Sequence, residues 1–229
     1  ELLDWLALEL QRNGGSLKQL HRLIVTSGTY RQSSAHDSRN GEIDGENRLL
    51  WRMQRSRLDG EAVRDAILQV SGTLNPQMGG PSVQQFQSSP GAQVTPILDY
   101  LNFNADDPAN YRRSVYRFVF RTVPDPFMDA LDSPDASQLT PTRNSSFTPL
   151  QALALMNDRL IVRQSERFAV KIQGVHPAVE DQVREMYCRV LLREPRKNEL
   201  QEMATYVSVY GLANGCRLLW NSNEFMFVD

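Results

Sequence analysis

Apolar residues recur at helical spacing along most of the chain. Leu2, Leu3, Leu6 and Leu10 share one face of a helix predicted over 1–12, ended by Asn13-Gly14-Gly15. Ser16 and Gln19 form a capping box for a second helix, with Leu17, Leu20, His21, Ile24 and Gly28 on its inner stripe. Asp59 caps a third, whose stripe is Ala62, Val63, Ala66, Ile67 and Val70 and whose stop is Gly72. The best-specified start is T-P-L-Q at 148–151, with Thr148 as N-cap, Pro149 as first helical residue and Gln151 closing a capping box. From there Leu150, Leu153, Ala154, Ile161, Phe168 and Ile172 fall on one face as far as Gly174. Asn157 lies on that same stripe, so its amide is expected to be buried and to tie the helix to a neighbouring loop or terminus. Val183 to Leu191 and Leu200 to Val207 predict an antiparallel pair broken at Pro195, followed by a last helix from about Leu212, with Phe225 and Phe227 docking the terminus.

Between these helices the periodicity fails. Residues 35–47 are polar, rich in oxygen ligands and glycine, but lack the residue order of an EF-hand and read as a solvated loop. Residues 73–111 carry Pro76, Gly79-Gly80-Pro81, Pro90-Gly91, Pro96 and Pro108 with no sustained period, an irregular excursion long enough to hold a binding surface. Arg112 to Thr122, rich in β-branched and aromatic residues, predicts a strand whose partner lies near Ser82-Val83. The fold expected is mainly α: an irregular helical bundle with long loops and at most a small β-hairpin. One domain is read over 1–229, with a C-terminal helical subregion over 177–229.

Composition narrows the function classes. The 229 residues are 41% hydrophobic with a formal charge of −2, enough for a sizeable core and without the basic field that drives nucleic-acid binding. No apolar run is long enough to span a membrane. The chain opens at Glu1, without methionine and already inside an amphipathic pattern, and reads as a segment of a longer protein. Cys188 and Cys216 are far apart and form no C-x-x-C, which argues against zinc, iron–sulfur and covalent haem within the segment. Cys216 shares a stripe with Leu212, Leu219 and Trp220 and reads as a buried thiol, with a disulfide to Cys188 as the alternative.

Candidate chemistry is sparse. Asp125, Asp129, Asp132 and Asp135 lie among prolines, and closely spaced carboxylates suit acid/base or metal chemistry; they equally make caps and turns. His21 is a second catalytic candidate, although a histidine on an apolar stripe is more often structural. Arg48, Arg52, Arg55 and Arg57 form a basic cluster, for which Asp59, Glu61 and Asp65 offer ion-pair partners. Binding candidates are Tyr30, Arg31, Arg52, Arg55, Arg143, Asn157 and Asn223. No metal site is expected.

Several stretches together resemble one family. S-L-K-Q-L-H-R-L-I-V-T-S-G-T-Y-R-Q-S-S (16–34), N-R-L-L-W-R (47–52), R-L-D-G-E-A-V-R-D-A-I-L (57–68), G-G-P-S-V (79–83), R-R-S-V-Y (112–116), T-P-L-Q-A-L-A-L-M-N-D (148–158) and L-W-N-S-N-E-F (219–225) are similar to the domain of unknown function 1553 of planctomycete-type secreted proteins. The resemblance covers the chain in order, without the domain's N-terminal portion. It departs at Arg196, where the family pattern has a Thr-Pro helix start, and this argues against a well-capped helix there. The resemblance implies an extracytoplasmic, multidomain setting downstream of a c-type cytochrome-like module, so haem would belong to that module and the upstream domains would be partners. The residues favour a non-catalytic accessory or interaction domain with a protein or polymer ligand. The alternatives are a polysaccharide hydrolase using the 125–135 carboxylates, and, more weakly, phosphate or nucleic-acid binding through Arg48 to Arg57.

Overall fold

The structure is a computed structural model that describes residues 1–91, 95–140 and 142–228. Residues 92–94 of the irregular excursion, Pro141 ahead of the Thr148 cap and the C-terminal Asp229 lie outside the described residues. The chain is about half helical, with eleven helices among the described residues, so the mainly α expectation holds. It divides into two compact units where the sequence reading took one domain: Glu1–Ser56 with the tail from Phe227, and Arg57–Met226.

The first unit holds α1 (Leu2–Arg12), α2 (Leu17–Val25) and α3 (Ser38–Ile43). Ser16 caps α2 by accepting the Gln19 N–H, as its sequence predicts. Neither α1 nor α2 buries a residue fully, and Leu2 and Leu3 of the expected inner stripe are 64% and 78% exposed. The polar stretch 35–47 is more ordered than a loop. Asp37 accepts the Asn40 N–H and starts α3, an Asx-type cap inside a stretch with no apolar period.

The second unit is built around α4 (Gly60–Ser71), α5 (Pro126–Ala130), α6 (Pro149–Asn157), α7 (Arg159–Gln173), α8 (Val179–Val190), α9 (Lys197–Tyr210), α10 (Leu212–Trp220) and α11 (Asn223–Met226). Helix α7 packs against α4 and α10, and α8 pairs with α9. Phe168 stacks on Trp220 at 6.1 Å, with Ile161, Met186, Leu212 and Cys216 buried around them. Cys188 and Cys216 are both free thiols; burial pushes the Cys216 thiol far up, out of reach of ionisation at neutral pH.

Helix α4 begins at Asp59, which accepts the Ala62 N–H at 2.8 Å, and ends at Gly72 in the left-handed conformation. Its buried face is Gly60, Val63, Arg64, Ile67, Leu68 and Ser71, rotated from the expected stripe so that an arginine points inward. A Cβ on Gly60 would stand 2.9 Å from the Leu131 Cβ, so only glycine lets the start of α4 approach the end of α5.

Two expected elements differ. Arg112 to Thr122 is not a strand. It follows a 3-10 turn at Pro108–Tyr111 and carries another at Ser114–Tyr116, and it meets Val83 in a parallel bridge in which Val83 N–H donates to the Tyr116 carbonyl and Phe118 N–H to the Val83 carbonyl. Backbone groups that a ladder would need are taken by side chains: the Asp65 carboxylate accepts the Ser114 N–H, and Arg64 donates to the Arg112 carbonyl. The small antiparallel pair lies earlier, Gln87–Ser89 with Ile97–Asp99, in register Gln87 to Asp99.

The run from Pro149 to Gln173 is two helices. Thr148, Pro149 and Gln151 make the expected capping box, with Gln151 N–H donating to Thr148 Oγ1 and Thr148 N–H to Gln151 Oε1. The helix stops at Asn157, and Asp158 starts α7 by accepting the Leu160 N–H at 2.8 Å. Asn157 is exposed and donates back to the Leu153 carbonyl, so it does not tie the helix to another segment. Leu150 and Leu153 are also exposed, while Gln151 and Leu155 are buried. Asp158 leaves helical geometry at ψ 143, and a face extrapolated through it is wrong on the N-terminal side.

At α9 the missing Thr-Pro start is compensated. Glu199 accepts the Arg196 N–H at 2.7 Å, while Arg193 forks onto Glu199 and Glu224. The Arg193 guanidinium first, with the Arg196 N–H, holds Glu199 down to about 2 against desolvation.

Candidate functional site

Inside the second unit a cavity of about 280 Å³ opens between the starts of α5 and α7, the buried face of α4 and the irregular excursion. Its polar wall includes Arg64, Gln85, Arg117, Asp125, Asp158 and Arg159; Tyr100, Phe103, Phe127, Met128 and Leu160 form much of the apolar wall.

Arg64 reaches this wall because its position falls on the inner face of α4. It is 1% exposed, and its guanidinium donates to the carbonyls of Asn110 (2.6 Å) and Arg112 (3.0 Å), to Ser114 Oγ and to Asp65 Oδ1. Burial, helped by the nearby Arg117 cation, lowers its pKa to about 10, so it remains charged at neutral pH. Arg117 donates through Nε to Gln85 Oε1 at 2.7 Å and pairs with Asp125 Oδ2. Asp125 in turn caps α5, its Oδ1 accepting the Phe127 and Met128 N–H groups.

Asp158 is the outlier. Burial is the main cause, with the like charge of Asp125 adding to it, and together they raise its pKa to about 6 although the Leu160, Arg159 and Ile161 N–H groups favour the ionised form. A displaced carboxyl in a concave site marks a functional candidate. Asp125 thus lines the cavity with a second carboxyl and serves as a helix cap, as the turn reading of the 125–135 cluster expects.

The other aspartates do different work. Asp132 accepts from Arg57 Nη1 (2.8 Å), from Ser146 through both N–H and O–H, and from Gln151 Nε2 (2.9 Å). Burial works to raise its pKa, but the Ser146 hydrogen bonds and the Arg57 cation outweigh this and hold it low. Asp129 is exposed in the first turn of α5, on a second, more open pocket that shares Tyr100, Arg117 and Asp125 with the first. Asp135 sits in a turn, where the Ser137 side chain first and then the Ser137 N–H lower its pKa. His21 is exposed on α2, not on a buried stripe as its spacing suggests.

The binding candidates scatter. Tyr30 and Arg52 line an apolar groove of the first unit with Trp5, Leu6, Ile24 and Met53; Arg52 also lies over Trp51. Arg31 is exposed, and Arg55 stacks over Phe227. Arg57 is committed to Asp132 and the Ser146 carbonyl rather than to the expected partners Asp59, Glu61 or Asp65. Arg143 supplies Glu61's partner instead, at 2.7 and 3.2 Å. Asn157 lines the cavity beside Asp158, and Asn223 is exposed at the start of α11. Among the described residues no group of three or more His, Cys, Asp or Glu is arranged to hold a metal ion, and no helix is long and apolar enough to cross a membrane.

Sequence reasoning missed Arg64, Arg117 and Asp158. For Asp158 a signal existed: Asn157-Asp158, two residues that prefer caps and turns, interrupt an otherwise strong helical run. Arg64 and Arg117 carry no local signal, since an arginine on a helix face reads as solvent-exposed until its partners are known.

A family model described as "PSD1: Protein of unknown function (DUF1553)" matches residues 1–207, and the chain belongs to this family. No curated protein and no solved structure matches it significantly.

Proposed function

We propose that the chain is a non-catalytic ligand-binding accessory domain of an extracytoplasmic multidomain protein, with the Arg64–Arg117–Asp125–Asp158 cavity as its site. The observation that carries this is the commitment of the wall. Arg64, Arg117 and Asp125 spend their hydrogen bonds on the protein itself, which makes a rigid, preorganised surface of the kind binding requires. The extracytoplasmic setting and the cytochrome-bearing neighbour rest on the family resemblance.

One observation favours a hydrolase as the second reading: Asp158, raised to about 6, shares the wall with Asp125, an arrangement able to supply an acid and a base. Reducing-end release from neutral and acidic polysaccharides, with Asp125→Asn and Asp158→Asn variants in parallel, separates the two. The binding reading expects no release that depends on either carboxyl. A folded variant that abolishes measurable release would overturn it.

A further inference from the structure

We propose that the cavity binds a small organic cation, an ammonium group on a compact apolar body, with Asp158 as its counter-ion. This rests on the ligand-binding reading above.

The argument is one of charge pairing. Arg64 is paired with Asp65, and Arg117 with Asp125. Arg159 turns to the carbonyls of Leu101 and Phe103, at 2.5 and 3.0 Å. Asp158 is left as the carboxyl on this wall with no cation partner among the described residues. It is held by backbone N–H groups at the start of α7, and the charge that acts on it most is another carboxylate, Asp125. Removing an ionised carboxylate from water without a counter-ion is costly, and its pKa of about 6 records that cost.

An arriving ammonium would supply the missing charge and let Asp158 ionise. An anion would meet two carboxylates, while Arg64 and Arg117 are each already paired with a carboxylate. The aromatic residues Tyr100, Phe103 and Phe127 in the lining suit both a cation and an apolar body. The volume, about 280 Å³, lies at the small end of ligand sites, which restricts the body to roughly one ring.

The charged and titratable groups facing Asp158 are Arg64 from α4, Asp125 at the start of α5, Arg159 on α7, and Tyr100 and Arg117 from the connecting segments. Of these, Asp158 is the one with a pKa placed at about 6, so affinity should follow its ionisation.

The test titrates the intact chain with 2-phenylethylammonium, 2-phenylethanol and 3-phenylpropanoate by calorimetry and NMR. The ammonium should bind about tenfold more tightly at about pH 7 than at about pH 5, as a carboxyl of pKa near 6 passes from about one-tenth to nine-tenths ionised. The alcohol should bind at least about tenfold more weakly, and Asp158→Asn should lose about tenfold for the ammonium alone. Where that variant does not fold, the wild-type pH ratio decides. Alcohol or carboxylate binding as tight as the ammonium would overturn the cation assignment and leave the binding reading standing. Absence of ammonium binding at millimolar concentration, or a flat pH profile, would overturn the proposal outright.

Discussion

Replacing Asp132 by alanine should be among the most damaging single changes in the second unit. Its carboxylate is the shared acceptor for Arg57, Ser146 and Gln151, joining the entry to α4, the end of α5 and the start of α6. The Arg57 side chain is only 6% exposed, and its Nε and Nη2 are buried without hydrogen-bond partners among the described residues, so without Asp132 its charge is met by the neutral Ser146 carbonyl and by no carboxylate bonded to it. Removing one partner of a buried pair costs about 3–5 kcal/mol, because the survivor is stranded. Asp132 also sits at φ 61, where alanine adds strain of about 1 kcal/mol that glycine would not. Asp132→Gly should therefore recover about 1 kcal/mol relative to Asp132→Ala. Asp132→Asn keeps an acceptor and tolerates the backbone angle, so its loss should be about 2 kcal/mol. Urea denaturation of the three variants, and of Asp132→Ala combined with Arg57→Met, measures these differences. The double variant should be more stable than Asp132→Ala alone, since the stranded cation has gone. An Asp132→Ala midpoint within about 1 kcal/mol of wild type would refute the reasoning. The folded pKa of Asp132 is depressed, so this contribution is complete above the unfolded aspartate value and is lost as pH falls through the lower folded value.

Three further outcomes follow from the structure. Asp158 has the opposite sign: its folded pKa, raised to about 6, makes wild-type stability fall as pH rises from the unfolded aspartate range to about 6. Asparagine retains the cap without the charge, so Asp158→Asn should be the more stable protein at neutral pH, by about 1–3 kcal/mol, with the gain fading toward about pH 4; a loss at neutral pH would contradict the burial argument. Thr148→Ala should cost about 1 kcal/mol through its capping-box hydrogen bond, and an unchanged denaturation midpoint would remove that helix start. Asn157→Leu should change stability by no more than about 0.5 kcal/mol, because the amide is exposed; a loss of about 2 kcal/mol would show that it is buried after all.

The sequence by itself determined the features that depend on a few neighbouring residues. Thr148-Pro149-x-Gln151, Ser16-x-x-Gln19 and Asp59 start helices because their side chains satisfy backbone N–H groups within one turn, and Gly72 ends one because it enters the left-handed conformation without strain. Family membership was legible for a related reason, as ordered local motifs survive without knowledge of their contacts. What only the tertiary structure decided were the pairings between distant segments. Arg64 turns inward because carbonyls from residues 110 and 112 wait for it, and Arg112 to Thr122 forgoes a strand because the same contacts consume its backbone groups. Asp158 becomes unusual only when the surrounding chain partly buries it and α5 brings Asp125 to the same cavity. Burial and charge pairing depend on what arrives from elsewhere in the chain, and local spacing carries no record of it.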